Sequence, residues 1–168
     1  MTYSVTCNVG IFGSQTLSGS LKLTTPGSVA PGAKFKATGV RATIVIPKSL
    51  VNAAFAVGIR SFKGRLNKYT IKNSDAKPST INGVGATGQP IPKTKLVQNQ
   101  SVTLAIPSKT TTFSMGPWTA GTKGTDTGKV GASAATVRAF NSSGAVITTI
   151  NASCNPPSPN KIFAVTVT

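Results

Sequence analysis

The sequence has almost no acidic side chains: its 168 residues include two aspartates, Asp75 and Asp126, and no glutamate or histidine. General acid–base catalysis normally uses histidine or a tuned pair of carboxyl groups. Cys7 and Cys154 lie in no CxxC or Cys/His cluster, so nothing supports a zinc site. We therefore expect a protein that is not an enzyme, with no catalytic residues, bound metal or cofactor.

The shortage of acids makes the chain strongly basic. Lysine and arginine number 18, and the net charge is +16, although only 12% of the residues are charged. The hydrophobic fraction of 39% is too high for a disordered chain. No apolar run reaches the 18 residues of a transmembrane helix. The composition thus predicts a folded basic protein, whose positive potential attracts anionic polymers or acidic surfaces.

The two cysteines lie near opposite ends of the chain and have two interpretations. A Cys7–Cys154 bridge would close a loop of nearly the whole domain and would require an oxidising compartment. Two buried free thiols, acting as small hydrophobic groups, are the alternative. The segment from Met1 to Cys7 lacks a signal-peptide pattern. If the bridge forms, we expect a secreted or cell-surface protein whose leader is absent from this chain.

Apolar residues alternate with polar ones along most of the chain, and 17 glycines and 11 prolines divide it into short pieces. This period of two predicts half-buried antiparallel strands. We expect strands at 3–9, 17–23, 35–46, 59–66, 68–72, 95–98, 102–106, 129–140, 145–150 and 162–167. The apolar parity switches at Gly39, which predicts a bulge, and residues 141–144 predict a hairpin turn.

One segment departs from alternation. Residues 48–57, which follow Pro47 and precede Gly58, have apolar residues spaced for about two helical turns. Residues 73–93 and 107–129 are rich in Gly, Pro, Ser and Thr and predict long surface loops. The whole pattern predicts one domain over 1–168: an all-β, two-sheet antiparallel sandwich of immunoglobulin-like or related topology, with one short helix.

The basic side chains are concentrated between residues 59 and 77. If Phe62 and Leu66 point inward, Lys63 and Arg65 point outward. Past a break near 64–67, Tyr69 and Ile71 take the inner face. The predicted site for a polyanion or acidic partner comprises Arg60, Lys63, Arg65, Lys68, Lys72 and Lys77. The alternative is that scattered cations keep the protein soluble and protect the edges of its sheets.

Aromatic residues are scarce, at 6%. Proteins that bind single-stranded nucleic acid combine cations with exposed aromatic rings. Only Tyr3, Tyr69 and Trp118 are candidates for that role, so nucleic acid is a possible but non-specific partner. Trp118, in the predicted 107–129 loop, has two interpretations: an exposed anchor, or a lid on one end of the sandwich.

Several motifs together resemble secreted cell-envelope domains of actinobacteria whose function is uncharacterised. They are the Tyr3-x-x-x-Cys7 opening, the Pro31-Gly32 segment, the alternating 40–47 strand, and Cys154 followed by a proline-rich turn and 163–167. The resemblance implies export, a Cys7–Cys154 disulfide and a non-enzymatic role at or beyond the cell wall.

The sequence thus predicts an extracellular binding or structural module whose basic surface contacts an anionic envelope polymer or an acidic partner. A second hypothesis is a self-assembling or virion-surface structural protein, of decoration or filament type, in which residues 162–168 complete the sheet of another chain. A third is a small-ligand carrier with a cleft near Trp118.

Overall fold

The computed structural model describes residues 1–107 and 111–168 and is mostly β, with 63% of the residues in strands and 7% in helix. One short helix, α1 (Lys48–Ala56), and one 3-10 turn (Gly10–Phe12) interrupt the strands. The strands are β1 (Thr2–Val9), β2 (Ser14–Thr24), β3 (Ser28–Val29), β4 (Lys34–Ile46), β5 (Ser61–Asn73), β6 (Thr80–Asn82), β7 (Gln89–Lys95), β8 (Val102–Ile106), β9 (Phe113–Thr119), β10 (Gly124–Phe140), β11 (Val146–Cys154) and β12 (Lys161–Val167).

The hydrogen-bonded order is β3-β12-β10-β11-β1-β2-β4-β8. Strand β5 lies on the other edge of β10 and pairs in turn with β6 and β7. Two long strands connect the parts of this network. The first half of β10 pairs with β12 and its second half with β11. In the same way, the first half of β4 pairs with β9 and its second half with β8.

The two cysteines are register partners on neighbouring strands. Cys7 of β1 lies opposite Cys154 of β11, and they form a disulfide. The pairing of the first and last thirds of the chain therefore brings them together, as the bridge hypothesis required. Among the residues described, there is no free cysteine.

The predicted helix is confirmed. Pro47 is the N-cap of α1, and Gly58 follows the helix with a φ of 83°. Leu50, Val51 and Ala54 are buried, so one side of α1 covers apolar residues of the strands. The predicted bulge is also confirmed, because Gly39 has a φ of 60° and the β4 register with both β2 and β9 shifts around it.

Two apolar clusters fill the interior. The first contains Trp118 of β9, whose ring centroid lies 5.5 Å from that of Phe35 and 5.3 Å from that of Phe163. The Phe163 ring covers Gly128, where a Cβ would overlap it. The second cluster lies under α1. Its buried members are Val51, Ala54, Ile59, Phe62, Leu66, Val84, Ile91, Leu96, Leu104, Ile106, Ala139 and Ile150.

Several sequence-based boundaries were wrong. The 73–93 segment contains β6 and the start of β7, and the 107–129 segment contains β9 and the start of β10, although residues 108–110 lie outside the described part. The predicted strand at 95–98 is displaced, because β7 ends at Lys95. The expected strands at 59–66 and 68–72 form one continuous strand, β5. Gly and Pro within short strands had suggested loops, but strand pairing outweighs this local preference.

Strand β12 is paired within its own chain, antiparallel with β10 and parallel with β3. Donation of residues 162–168 to another chain would therefore break existing pairs.

The hairpin turn expected at 141–144 is confirmed: the Asn141 amide donates to the Ala145 carbonyl, and β11 begins directly afterwards.

Candidate cationic site on the outer face

Strand β5 exposes four of the six predicted cations. Lys63 and Arg65 are exposed while Phe62 and Leu66 are buried. The parity then reverses, next to a shift in the β5–β10 register. Lys68 and Lys72 are exposed beyond the reversal, again as the sequence predicted. About 30 Å of strand separates positions 63 and 72, at about 3.3 Å per residue, so these cations form a stripe and not a compact pocket.

Arg60 is the one predicted cation whose guanidinium also contacts the end of α1. It is half-buried and donates to the carbonyls of Phe55, at 2.9 Å, and of Ile59, at 3.1 Å. Its guanidinium carbon lies 4.4 Å from the centroid of the Phe55 ring. Arg60 thus holds the C-terminal end of α1. Lys77 lies beyond the end of β5, where its backbone pairs with that of Thr119.

Three cations surround the ring of Phe140. Lys63 Nζ is 5.6 Å, Lys93 Nζ 5.5 Å and Arg138 Cζ 6.0 Å from its centroid. Lys63, Lys93 and Arg138, hereafter the cation cluster, come from the adjacent strands β5, β7 and β10 and are all exposed. Cation–π attraction of about 0.5–1 kcal/mol per exposed pair holds their charged ends over one side of the sheet.

Like charges also face each other along the β5–β10 ladder. Lys63 is the register partner of Arg138, and Lys72 is the partner of Lys129. Like charges directly opposite each other destabilise a sheet. An anion bound across either pair would neutralise this repulsion, so the arrangement favours anion binding.

A cleft of about 550 Å³ adjoins the cation cluster. Three cations line it, Arg60, Lys93 and Lys95. The rest of the lining is Ser61 of β5 and the polar hairpin turn between β10 and β11, with Asn141, Ser142 and Gly144. None of these residues is acidic. The cleft therefore offers cations and hydroxyl or amide donors to a ligand group that carries negative charge.

The two acids accept hydrogen bonds from neutral donors. Asp126 is fully buried in β10, and its Oδ1 accepts from the Ser74 hydroxyl, at 3.0 Å, and from the Asp75 amide, at 3.1 Å. Asp75 accepts from the amide and the hydroxyl of Thr122. The sequence placed both acids in separate loops. Asp75 does lie in a bend just after β5, but Asp126 lies within β10, and the pairing of β5 with β10 brings the two acids together.

The aromatic residues considered for base stacking are not available for it. Trp118 is fully buried in β9, which corrects its interpretation as an exposed loop anchor, and Tyr3 is 9% exposed. Burial raises the pKa of Tyr3 to about 12. Burial, and secondarily the Tyr3 charge, raise the pKa of Tyr69, which is half-buried. A stacking surface built from these three rings therefore does not exist.

Sequence reasoning missed the centre of this site. Arg138 and Phe140 were assigned only to a long strand, and Lys93 only to the flank of a loop. Arg138 and Phe140 are two residues apart in one strand and therefore share a face, but only the neighbouring strands show that Lys63 and Lys93 lie beside them.

No cluster of three or more potential metal ligands occurs in residues 1–107 and 111–168. In the same ranges, no helix has the length and apolarity needed to span a membrane.

Comparison with known proteins identifies one family. A family model described as a family of unknown function (DUF6801) matches residues 3–163. No curated protein and no solved structure matches the chain. The match spans nearly all of the strands described above.

Proposed function

The chain belongs to DUF6801, a family of unknown function, and from its geometry we propose that it is a non-enzymatic, extracellular binding or structural module. Its basic sheet face binds an anionic polymer or the acidic surface of a partner. The observation that carries this proposal is the cation cluster: Lys63, Lys93 and Arg138 surround one aromatic ring, while both acids of the chain bond to neutral donors.

The chemistry of the cluster favours phosphate or carboxylate groups spaced along a polymer. Arginine binds such groups through a planar fork of donors, and lysine does so as a compact point charge. Lys72 and Lys129 extend the positive surface along the same pair of strands, so a polymer that follows β5 would meet cations at both ends. Acidic proteins share this chemistry and are the alternative partner.

The extracellular part of the proposal is supported by the Cys7–Cys154 disulfide. Disulfides persist in oxidising environments and are rare in the cytosol. Together with the sequence motifs that resemble actinobacterial envelope domains, the disulfide supports a place at the cell surface.

The proposal includes the two-layer sandwich of immunoglobulin-like or related topology. Its support is the contact of Phe163 in β12 with Phe35 in β4, whose ring centroids are 6.3 Å apart. These strands are well separated in the hydrogen-bonded order, so the strand network folds over itself with these rings inside.

The test is binding to long-chain inorganic polyphosphate as a function of salt. We compare the wild type with a variant that replaces the cation cluster, Lys63→Gln, Lys93→Gln and Arg138→Gln. Each phosphate contact adds about 0.7–0.9 to the slope of log affinity against log salt. The variant should therefore lose about 2 to 3 from the slope, and about 100-fold in affinity at 0.15 M salt.

The matched control replaces three exposed lysines of β2 and β4, Lys22→Gln, Lys34→Gln and Lys36→Gln. Both variants have a net charge of +13, because 16 minus 3 is 13. Equal losses in the two variants would show that only total charge matters and would overturn the site. Binding of polyglutamate but not of polyphosphate would identify the acidic-protein alternative.

A further inference from the structure

A cavity of about 160 Å³ lies beneath α1, lined mainly by the second apolar cluster and also by Cys7, Leu17 and Leu50 of the first. Leu50, Val51 and Ala54 border it from the helix. Strands β1, β2, β4, β5, β7, β8, β10 and β11 and the 3-10 turn also contribute side chains to its wall. Ile91 of β7 and Ile106 of β8 line it from the strands. Trp118 does not line it, so this is not the cleft near Trp118 that the sequence suggested.

The wall of the cavity is almost entirely hydrocarbon. Ser133 carries the one hydroxyl among the lining side chains, and no charged side chain takes part. A buried water needs two to four polar partners. Because the wall does not offer them, the cavity favours an apolar occupant over water.

The size of the cavity sets the size of the occupant. Protein interiors are closely packed and hold few voids larger than a water molecule. An apolar cavity of roughly 150 Å³ in another protein stays dry and binds benzene. The cavity described here is similar in volume and chemistry.

We propose that this cavity binds an uncharged hydrocarbon group of about the size of benzene. The group belongs either to a small free hydrocarbon or to the acyl chain of a lipid. Helix α1 covers the group, and the hydrogen bonds of Arg60 to the Phe55 and Ile59 carbonyls hold the end of the helix in place. This inference uses none of the cation cluster and does not depend on the proposed function.

The experiment is methyl NMR of the full chain during titration with benzene. Methyl signals of Leu50, Ile91 and Ile106, which line the cavity, should shift and saturate. Those of Val40 and Val165, buried in the first cluster, should stay unchanged. Octanoate provides the second arm: if it shifts the same signals at lower concentration than benzene, the source is a lipid, and if only benzene does so, the source is a small hydrocarbon.

Variants that fill the cavity supply the second measurement. Ala54→Leu places a larger side chain against the cavity wall and should weaken benzene binding at least 10-fold, with Ala139→Val as an independent variant. Ala53→Leu is the matched control, because Ala53 is an exposed position of α1 and its replacement should leave binding unchanged.

Two results would overturn the proposal: no saturable shift of the cavity methyls with either ligand, or equal shifts of the cavity methyls and of the Val40 and Val165 methyls. If a filling variant fails to fold, the wild-type map of shifted methyls still decides between these outcomes. The variant that replaces the cation cluster should lose polyphosphate binding and keep benzene binding, because none of its three substituted residues lines the cavity.

Discussion

Reduction of the Cys7–Cys154 disulfide should remove a large part of the stability of the fold. The two cysteines are 147 residues apart, so the bridge closes almost the entire chain into a loop. The chain-entropy model assigns a loop of this length about 5 kcal/mol at 25 °C, because the bridge restricts the unfolded state. Domains are stable by about 5–15 kcal/mol, so reduction should cost a third or more of the total.

The assay is urea unfolding with and without reductant, followed by the fluorescence of Trp118, which is fully buried in the folded state. With a denaturant dependence of about 2 kcal/mol per molar, a loss of 5 kcal/mol lowers the midpoint by about 2.5 M. The double variant Cys7→Ala and Cys154→Ala should unfold like the reduced wild type and should not respond to reductant.

A midpoint that falls by less than about 0.5 M would refute the loop-closure argument. The mass of the intact protein after alkylation gives an independent check. Labelling of both cysteines without prior reduction would show that the bridge is absent, and would also remove the main support for an extracellular location.

Two further predictions concern buried or crowded groups. Because burial raises the pKa of Tyr3 to about 12 from 10.0, the neutral phenol stabilises the fold below pH 10, and this stability is lost as the pH rises towards 12. In unfolding titrations from pH 9 to 12, wild type should lose about 2 kcal/mol more than Tyr3→Phe, and equal losses would contradict the burial argument. At Gly121, a Cβ would overlap the Asp75 carboxylate that accepts from Thr122, so Gly121→Ala should cost about 1–2 kcal/mol in thermal unfolding. Gly27→Ala is the control, since a Cβ there meets nothing within 4 Å; a similar cost at both positions would show that the carboxylate is not the cause.

The local part of the fold could be predicted because it is written in short-range patterns. Period-two alternation placed Lys63 and Arg65 outward and Phe62 inward, and the reversal along β5 was visible in the sequence. Helix α1 was recognisable from apolar spacing between a proline and a glycine. Strand β9 was missed, because Gly116 and Pro117 indicated a loop, although pairing with β4 keeps the segment extended.

What the sequence determined by itself is the β class, the side of β5 that meets solvent, and a positive charge that two aspartates cannot balance. These follow from composition and from the geometry of a single strand. The tertiary structure alone decided that Lys93 and Arg138 join Lys63 around Phe140, that Trp118 is buried, and that a cavity remains beneath α1. Each depends on which distant strands become neighbours, and alternation within one strand carries no information about its partners.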